Sequence, residues 1–255
     1  MLLRGALGRG FRGVLALLYP PSCYLCSAAV ENGRFVCARC WGKVTRVSAP
    51  ICAICGAPGH LQLCPTCQHQ ERGFDFARSF GIYDGVLAKL VQGLKYEGER
   101  ALTHELTGCL KRYLNETPFD FEAITYVPMG RAALRERGFN QAEQLARELG
   151  RSLRVDVIPA LRKIRETPPQ TGLSLNARRE NLRSAFAPDG PVHCAEILLI
   201  DDVYTTGSTV DACGRALKRG GYRGVYVLTV ARAVRVEDHT ADDPFDLPDR
   251  PSPSR

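Results

Sequence analysis

The chain has 255 residues, 45% of them hydrophobic, and a formal net charge of +7 at pH 7. That is room for one mid-sized α/β domain and a small extra module, with the composition of an ordinary soluble globular protein. The charge is uneven: residues 236–255 hold six acids and two bases, which leaves +11 on the remainder. A body that basic favours polyanions such as nucleotides, pyrophosphate or nucleic acid, against the plainer reading of a solvated surface.

Residues 1–19 combine arginines with the apolar run Val14–Leu18. The run is shorter than the roughly 7–15 apolar residues of a secretory core and far short of the roughly 20 that cross a bilayer. The expectation is a short basic amphipathic helix, no stable membrane insertion and a cytoplasmic chain. Gly8, Gly10 and Gly13 spell a dinucleotide-type glycine pattern, but no strand precedes them and no ribose-binding acid is placed to follow.

Residues 20–70 form a cysteine module. Cys23/Cys26, Cys37/Cys40, Cys52/Cys55 and Cys64/Cys67 are four CxxC pairs within 45 residues. A CxxC turn aims two thiolates at one point, and two turns complete a tetrahedral four-thiolate site. A disulfide scaffold would need an oxidising compartment, and redox CxxC motifs rarely come four at a time. Structural zinc, two ions, is therefore expected; sequence order pairs the first two motifs and the last two, with interleaved pairing still open. His60 and His69 read as bystanders, and Cys109, Cys194 and Cys213 as buried core.

Residues 74–235 read as one α/β domain. Phe76–Tyr83 has strand character, and Asp84 can cap a helix with Val86, Leu87, Leu90, Val91 and Leu94 on one face. A helix over about Ala101–Leu114, a strand at Ala123–Val127, a helix over about Gln141–Leu149 and a short strand at Val155–Ile158 follow. Arg162–Thr171 reads as a basic loop and Leu175–Leu182 as a helix. The strand Ile197–Ile200, a helix over about Ser208–Arg219 and the strand Val225–Val230 complete the domain. Alternation of this kind predicts a parallel sheet flanked by helices on both faces. The Pro- and Asp-rich tail, 236–255, is expected to be disordered.

The most informative stretch is Ile197–Thr209: a buried strand, the acids Asp201 and Asp202, then Thr205, Thr206, Gly207, Ser208 and Thr209 leading into a helix. Ligands of open α/β sheets bind beyond the carboxyl ends of the strands. Backbone N–H groups, hydroxyls and a helix N-terminus suit a phosphate there. The carboxylates would repel a phosphate but can accept hydrogen bonds from ribose hydroxyls. Together they describe a ribose 5-phosphate. The ending lacks the Gly-Lys-Ser/Thr of an ATP-binding loop.

This stretch resembles the phosphoribosyltransferase signature. Further segments are similar to the ComF family of competence-associated proteins: Leu94-Lys95-Tyr96, Val127-Pro128 with Arg131, Arg135 and Arg137, Gly138 to Gln141, Arg165 to Ser174, and Arg178 to Asn181. The paired CxxC module resembles that family's double zinc ribbon. The resemblance spans about Leu18–Arg232 and implies a phosphoribosyltransferase-type fold and a role in handling single-stranded DNA during natural transformation. It also implies ribose contacts from Asp201 and Asp202, a 5-phosphate loop at Thr205–Thr209, and a pyrophosphate loop in the turn after Val127-Pro128 with Arg131. Arg135, Arg137, Lys95 and Lys163 are further cations for pyrophosphate. The implied ligand is phosphoribosyl pyrophosphate or a nucleotide, with Mg2+ held mainly by ligand oxygens. Implied macromolecular partners are single-stranded DNA and a helicase-like competence protein, and Tyr96, Phe139 and Tyr204 are candidates for stacking on bases. An active Mg-dependent phosphoribosyltransferase of nucleotide metabolism is the alternative; no segment names its acceptor.

Overall fold

A computed structural model describes residues 21–31, 33–96, 101–165, 184–192 and 194–234. The expected helix over 1–19, the helix Leu175–Leu182, the segments 166–174 and 178–181, and the 236–255 tail lie outside the described residues.

The cysteine module is built twice over the same plan. Each half opens with a tight knuckle: Cys23 N donates to Ala28 O and Cys52 N to Ala57 O, both at 2.7 Å. Each half then presents its second pair at the start of a short helix, α1 (Ala38–Trp41) or α2 (Pro65–His69). The knuckle needs a left-handed residue after its second cysteine. Ser27 fills it in the first half (φ 56°) and Gly56 in the second (φ 73°). Gly56 also presses on the carbonyl of Ala77, where a Cβ would overlap.

Four strands form one parallel sheet in the order β1-β6-β5-β2. They are β1 (Phe76–Ile82), β2 (Ala123–Tyr126), β5 (Glu196–Tyr204) and β6 (Gly224–Arg232). On one face lie α3 (Gly85–Tyr96), α4 (Leu102–Glu116) and α6 (Gln141–Leu153), whose Leu90, Leu106 and Leu145 pack with Leu198, Ile200 and Leu228 of the sheet. On the other lies α7 (Ser208–Gly220), whose Val210, Cys213 and Leu217 pack with Ile197, Leu199 and Val227. Burial on both faces explains the unbroken apolar run Ile197–Ile200. The expected α/β class, a parallel sheet flanked by helices behind a cysteine-rich module, is borne out.

Three local expectations are corrected. Val155–Ile158 is not a strand of the sheet: it makes a single parallel bridge, Val157 to Ile124. Arg162 and Lys163, read as the start of a basic loop, belong to a short strand β3 (Leu161–Lys163) paired antiparallel with β4 (Phe186–Pro188). The cations after Val127-Pro128 sit on a helix, α5 (Arg131–Arg137), because Arg, Ala, Leu and Glu all favour helix once Gly130 has opened it. Of the lone cysteines, Cys109 and Cys213 are buried as expected, whereas Cys194 is only half-buried.

The module is sewn to the outer side of β1. Ile82 N donates to Thr45 O (2.8 Å), Ala77 N to Ile54 O (2.7 Å), and Arg46 bridges to Gly81. One cysteine set therefore joins the core above the sheet and the other the core below it. Asp84 contributes differently from a simple cap: its carbonyl accepts from Ala88 N, opening α3, while its carboxylate accepts from Thr45 Oγ1.

Glu105 of α4 ties the body to three donors of the module. Its Oε1 accepts from Phe35 N (2.7 Å) and Val36 N (3.3 Å), and its Oε2 from Trp41 Nε1 (3.2 Å). Replacing it leaves three donors without their charged acceptor. Glu105→Ala is expected to lower unfolding free energy by about 1–3 kcal/mol in urea titrations of the metal-loaded protein, with amide protection at Phe35 and Val36 falling first.

Candidate functional site

Strand β5 runs four residues past the apolar stretch, so Asp201 and Asp202 lie within it and not after it. Successive side chains of a strand face opposite sides, and the two acids accordingly have different surroundings. Asp202 is only 3% exposed. Its Oδ1 pairs with Lys95 Nζ at 2.9 Å, and its Oδ2 accepts from Gln141 Nε2 at 2.7 Å. Gln141 is in turn held by Arg137, whose Nη1 donates to Gln141 Oε1 at 2.9 Å. Asn140 caps α6 by accepting from Ala142 N, and its Nδ2 donates to Val127 O. Burial pulls the Lys95 pKa down, but Asp202 beside it more than offsets this, and Lys95 stays raised.

Asp201 is half-buried, and its Oδ1 accepts from Asp202 N at 2.9 Å. Burial, and then the charge on Asp202, push its pKa up to about 7, against a smaller opposing pull from Lys95. Of the two acids, Asp202 has both oxygens engaged within the protein, and Asp201 is the more open to a ligand.

Beyond Tyr204 the chain turns through Thr205, which is exposed, and Thr206 into α7. Gly207 stands at the cap with φ 75°, and a Cβ there would overlap the Tyr204 hydroxyl, so only glycine fits. Thr206 Oγ1 lies 2.7 Å from Ser208 Oγ and accepts from Ser208 N at 3.2 Å. The first-turn N–H groups of a helix lack partners within it, and they carry its partial positive charge. The loop thus presents donors and a favourable dipole at the carboxyl edge of the sheet, the arrangement that holds a phosphate.

The remaining predicted cations are scattered. Arg131 and Arg135 are exposed on α5, and Arg137 is half-buried with its guanidinium 5.1 Å from the centre of the Tyr96 ring. Lys163, half-buried on β3, lies on the α7 side, where it and Asp201 act oppositely on Cys213. Among the three aromatics considered for stacking, Tyr96 is 72% exposed, whereas Phe139 and Tyr204 are buried, at 8% and 2%, and serve as packing. Gln141 was missed as a site residue, because an amide at a helix start reads as ordinary capping and nothing in its spacing points to β5.

The eight paired cysteines gather into two sets, Cys23/Cys26/Cys37/Cys40 and Cys52/Cys55/Cys64/Cys67, with all ligand atoms in each within 4.8 Å of one another. The sequential pairing holds and the interleaved one does not. Cys26 and Cys37 sulfurs approach to 3.7 Å, and Cys55 and Cys64 to 3.6 Å. A tetrahedral zinc with bonds of about 2.3 Å sets its sulfurs about 3.8 Å apart, so the residues fit two structural zinc ions. Electrostatics agree. Burial and neighbouring thiols push Cys40 up to about 12, while Ala28 N–H and Arg39 draw Cys26 down to about 6. Four thiols in contact resist ionising together, and a dication removes that conflict. His60 and His69 belong to neither set. Among the described residues no helix is long and apolar enough to cross a membrane.

The Asp201 carboxyl makes a pH prediction. Its folded pKa, about 7, lies above the ordinary 3.8, so its contribution favours folding at low pH and is lost as pH rises through about 7. Asp201→Asn is expected to be more stable than the parent above pH 7, with the advantage vanishing towards pH 4. The displacement bounds the gain at about 4 kcal/mol, read from urea unfolding at fixed zinc loading.

Comparison with known proteins follows the same division of the chain. The double zinc ribbon domain family matches residues 14–68. Competence protein F of Haemophilus influenzae is 29% identical over 214 residues, covering 80% of this chain and 92% of its own. DNA utilization protein YhgH of Escherichia coli K12 is 29% identical over 227 residues, covering 86% of this chain and all of its own. Competence protein ComFC of Bacillus subtilis is 27% identical, covering 78% of this chain and 84% of its own. Among solved structures, adenine phosphoribosyltransferase from Thermoanaerobacter pseudethanolicus aligns with 53% of this chain and 72% of its own, at 16% identity and a TM-score of 0.34, too loose a likeness to bear on function. A double zinc ribbon stands in front of a parallel α/β domain, and over most of its length the chain is similar to competence proteins F and ComFC.

Proposed function

We infer that this protein binds a phosphorylated ribose, as phosphoribosyl pyrophosphate or a nucleotide, and acts in the handling of incoming single-stranded DNA. The observation that carries the first part is the strand–loop–helix from Asp201 to Thr209. A positive-φ glycine, two hydroxyls 2.7 Å apart and a thirteen-residue helix meet at the carboxyl edge of the sheet, with a half-buried carboxylate beside them. The phosphate takes the helix N-terminus and the ribose hydroxyls take Asp201. Asp202 holds Lys95 and Gln141 in place behind it. Mg2+ would be held mainly by ligand oxygens, and Asp201 is a carboxylate that could share it.

The DNA part rests on the names of the relatives, which speak of competence and DNA utilization, and on the basic body. Arg131 and Arg135, exposed on one short helix, and the exposed Tyr96 offer phosphate contact and base stacking on that side of the domain.

The test is calorimetric titration of zinc-loaded protein with phosphoribosyl pyrophosphate and Mg2+, beside the double variant Asp201→Ala with Asp202→Ala. Saturable binding that the folded double variant loses by at least about tenfold is expected. A folded parent that takes up none of the ligand would remove the ribose-phosphate assignment. Single-stranded DNA binding is expected to weaken steeply with salt, and a flat salt response would remove the DNA assignment.

A further inference from the structure

The second cysteine set lies against the phosphate loop, and two side chains join them. Arg232, at the end of β6, is 5% exposed. Its Nη1 donates to Cys55 O at 2.7 Å, and its Nη2 lies 3.6 Å from Cys55 Sγ. The same guanidinium stands 4.3 Å from the centre of the Tyr204 ring. Tyr204 pairs with Arg232 across β5 and β6, and Ala233 N donates to Tyr204 O at 2.9 Å. The far end of Tyr204, its hydroxyl, is pressed against Gly207. A cysteine of the second set, an arginine, an aromatic ring and the loop glycine are therefore linked by an unbroken run of contacts.

The surroundings of that run are unusual. Only a few buried side-chain polar atoms lack partners among the described residues, and three of them, Arg72 Nε, Tyr204 Oη and Arg232 Nε, belong to residues around one small hollow. Thr66 of the second cysteine half and Thr205 and Thr206 of the loop line it too. A zinc ion with four thiolates carries a net charge of −2. Arg232, Arg72 and Arg78 are cations beside this set: Arg232 reaches Cys55, Arg78 donates to the carbonyls of Ala53 and Ile54, and Arg72 is held charged against its burial by Tyr204 and Cys67. The first set has no such connection: its cation, Arg39, is on α1, and its core neighbours belong to the opposite face of the sheet.

We propose that Arg232 and Tyr204 are positioning residues through which metal bound at Cys52, Cys55, Cys64 and Cys67 sets the conformation of the Thr205–Thr209 loop and hence its affinity for a phosphate-bearing ligand. With the metal in place, Cys55 is fixed, its carbonyl and thiolate orient Arg232, and the guanidinium holds the Tyr204 ring with its hydroxyl on Gly207. Loss of the metal frees Cys55 and removes the anionic partner of the guanidinium, and the turn at Gly207 loses its support. The proposal rests on the reading of that loop as a phosphate site.

Linkage makes the coupling reciprocal: a ligand whose affinity depends on the metal must raise affinity for the metal by the same factor. The experiment is equilibrium competition for zinc by a chromophoric chelator, with and without saturating ribose 5-phosphate. In the parent protein, one zinc of the two is expected to become about tenfold harder to remove, within the usual range of such couplings. Arg232→Lys, which keeps the charge but loses the planar fork, is expected to retain both zincs and lose this response. Tyr204→Phe leaves the ring beneath the guanidinium and removes only the hydroxyl at Gly207. Its response is expected to fall severalfold, and it stands in if the arginine variant does not fold. Ribose 5-phosphate that binds the parent yet changes the hold on neither zinc, or on both equally, overturns the coupling and leaves the phosphate site standing. An undiminished response in either folded variant also overturns it. A zinc-loaded parent that does not bind ribose 5-phosphate overturns the phosphate reading itself.

Discussion

A carboxylate placed inside a parallel sheet has to be compensated where it stands, and much of the body is arranged to compensate Asp202. An unpaired charge at 3% exposure would be far too costly to keep. Lys95 comes from the last turn of α3 and Gln141 from the first turn of α6. Two helices that pack on the same face are thereby fixed to one point of β5. Arg137 extends the tie to α5 through Gln141, and Asn140 extends it to Val127, the residue that follows β2. Such a cluster is weak evidence for added stability, since burying ions is itself costly. Its worth lies in register: it fixes where the ends of α3, α5 and α6 stand relative to the carboxyl edge of the sheet, where the Thr205–Thr209 turn begins.

The cysteine module solves a different problem. Some fifty residues that form only two short helices and a few bridges cannot bury enough apolar surface to fold alone. Metal supplies the missing free energy, and the body supplies the rest through Glu105 and the backbone of β1. The two halves differ in depth. All four cysteines of the second set are buried, whereas Cys26 of the first is exposed. Exchange of the first metal with solvent therefore meets less obstruction than exchange of the second.

Much of this was legible in advance because it depends on short-range patterns. Four CxxC pairs announce thiolate metal sites, and the run Ile197–Ile200 followed by Thr205–Thr209 announces a buried strand feeding a phosphate-type turn. Helical periodicity located α3, α4, α6 and α7 within a few residues. What was not legible depends on partners distant in the chain. The two acids looked like one functional pair at a strand end, yet the strand continues to Tyr204 and separates them by side, because β6 continues alongside it to Arg232. The apolar Val155–Ile158 resembled a strand by composition, but beside a four-residue β2 only one bridge forms. Leu161–Lys163 is extended because Phe186–Pro188 lies opposite, more than twenty residues later. Tyr204, an aromatic next to a loop, resembled a surface ring. The Arg232 guanidinium and the closeness of Gly207 are what bury it.

The pairing of the module with β1 also bears on how the protein survives unfolding stress. β1 is the last strand of its sheet, and without the module its outer N–H and C=O groups would offer a template for another chain. Phe76, Phe80 and Ile82 make that segment apolar, and it contains a single charge, Arg78, whose guanidinium is spent on the carbonyls of Ala53, Ile54 and Ala77. Metal loss would thus do more than loosen a peripheral appendage. It would uncover a sticky edge, and the zinc ribbons are in this sense a guard against self-association built into the fold.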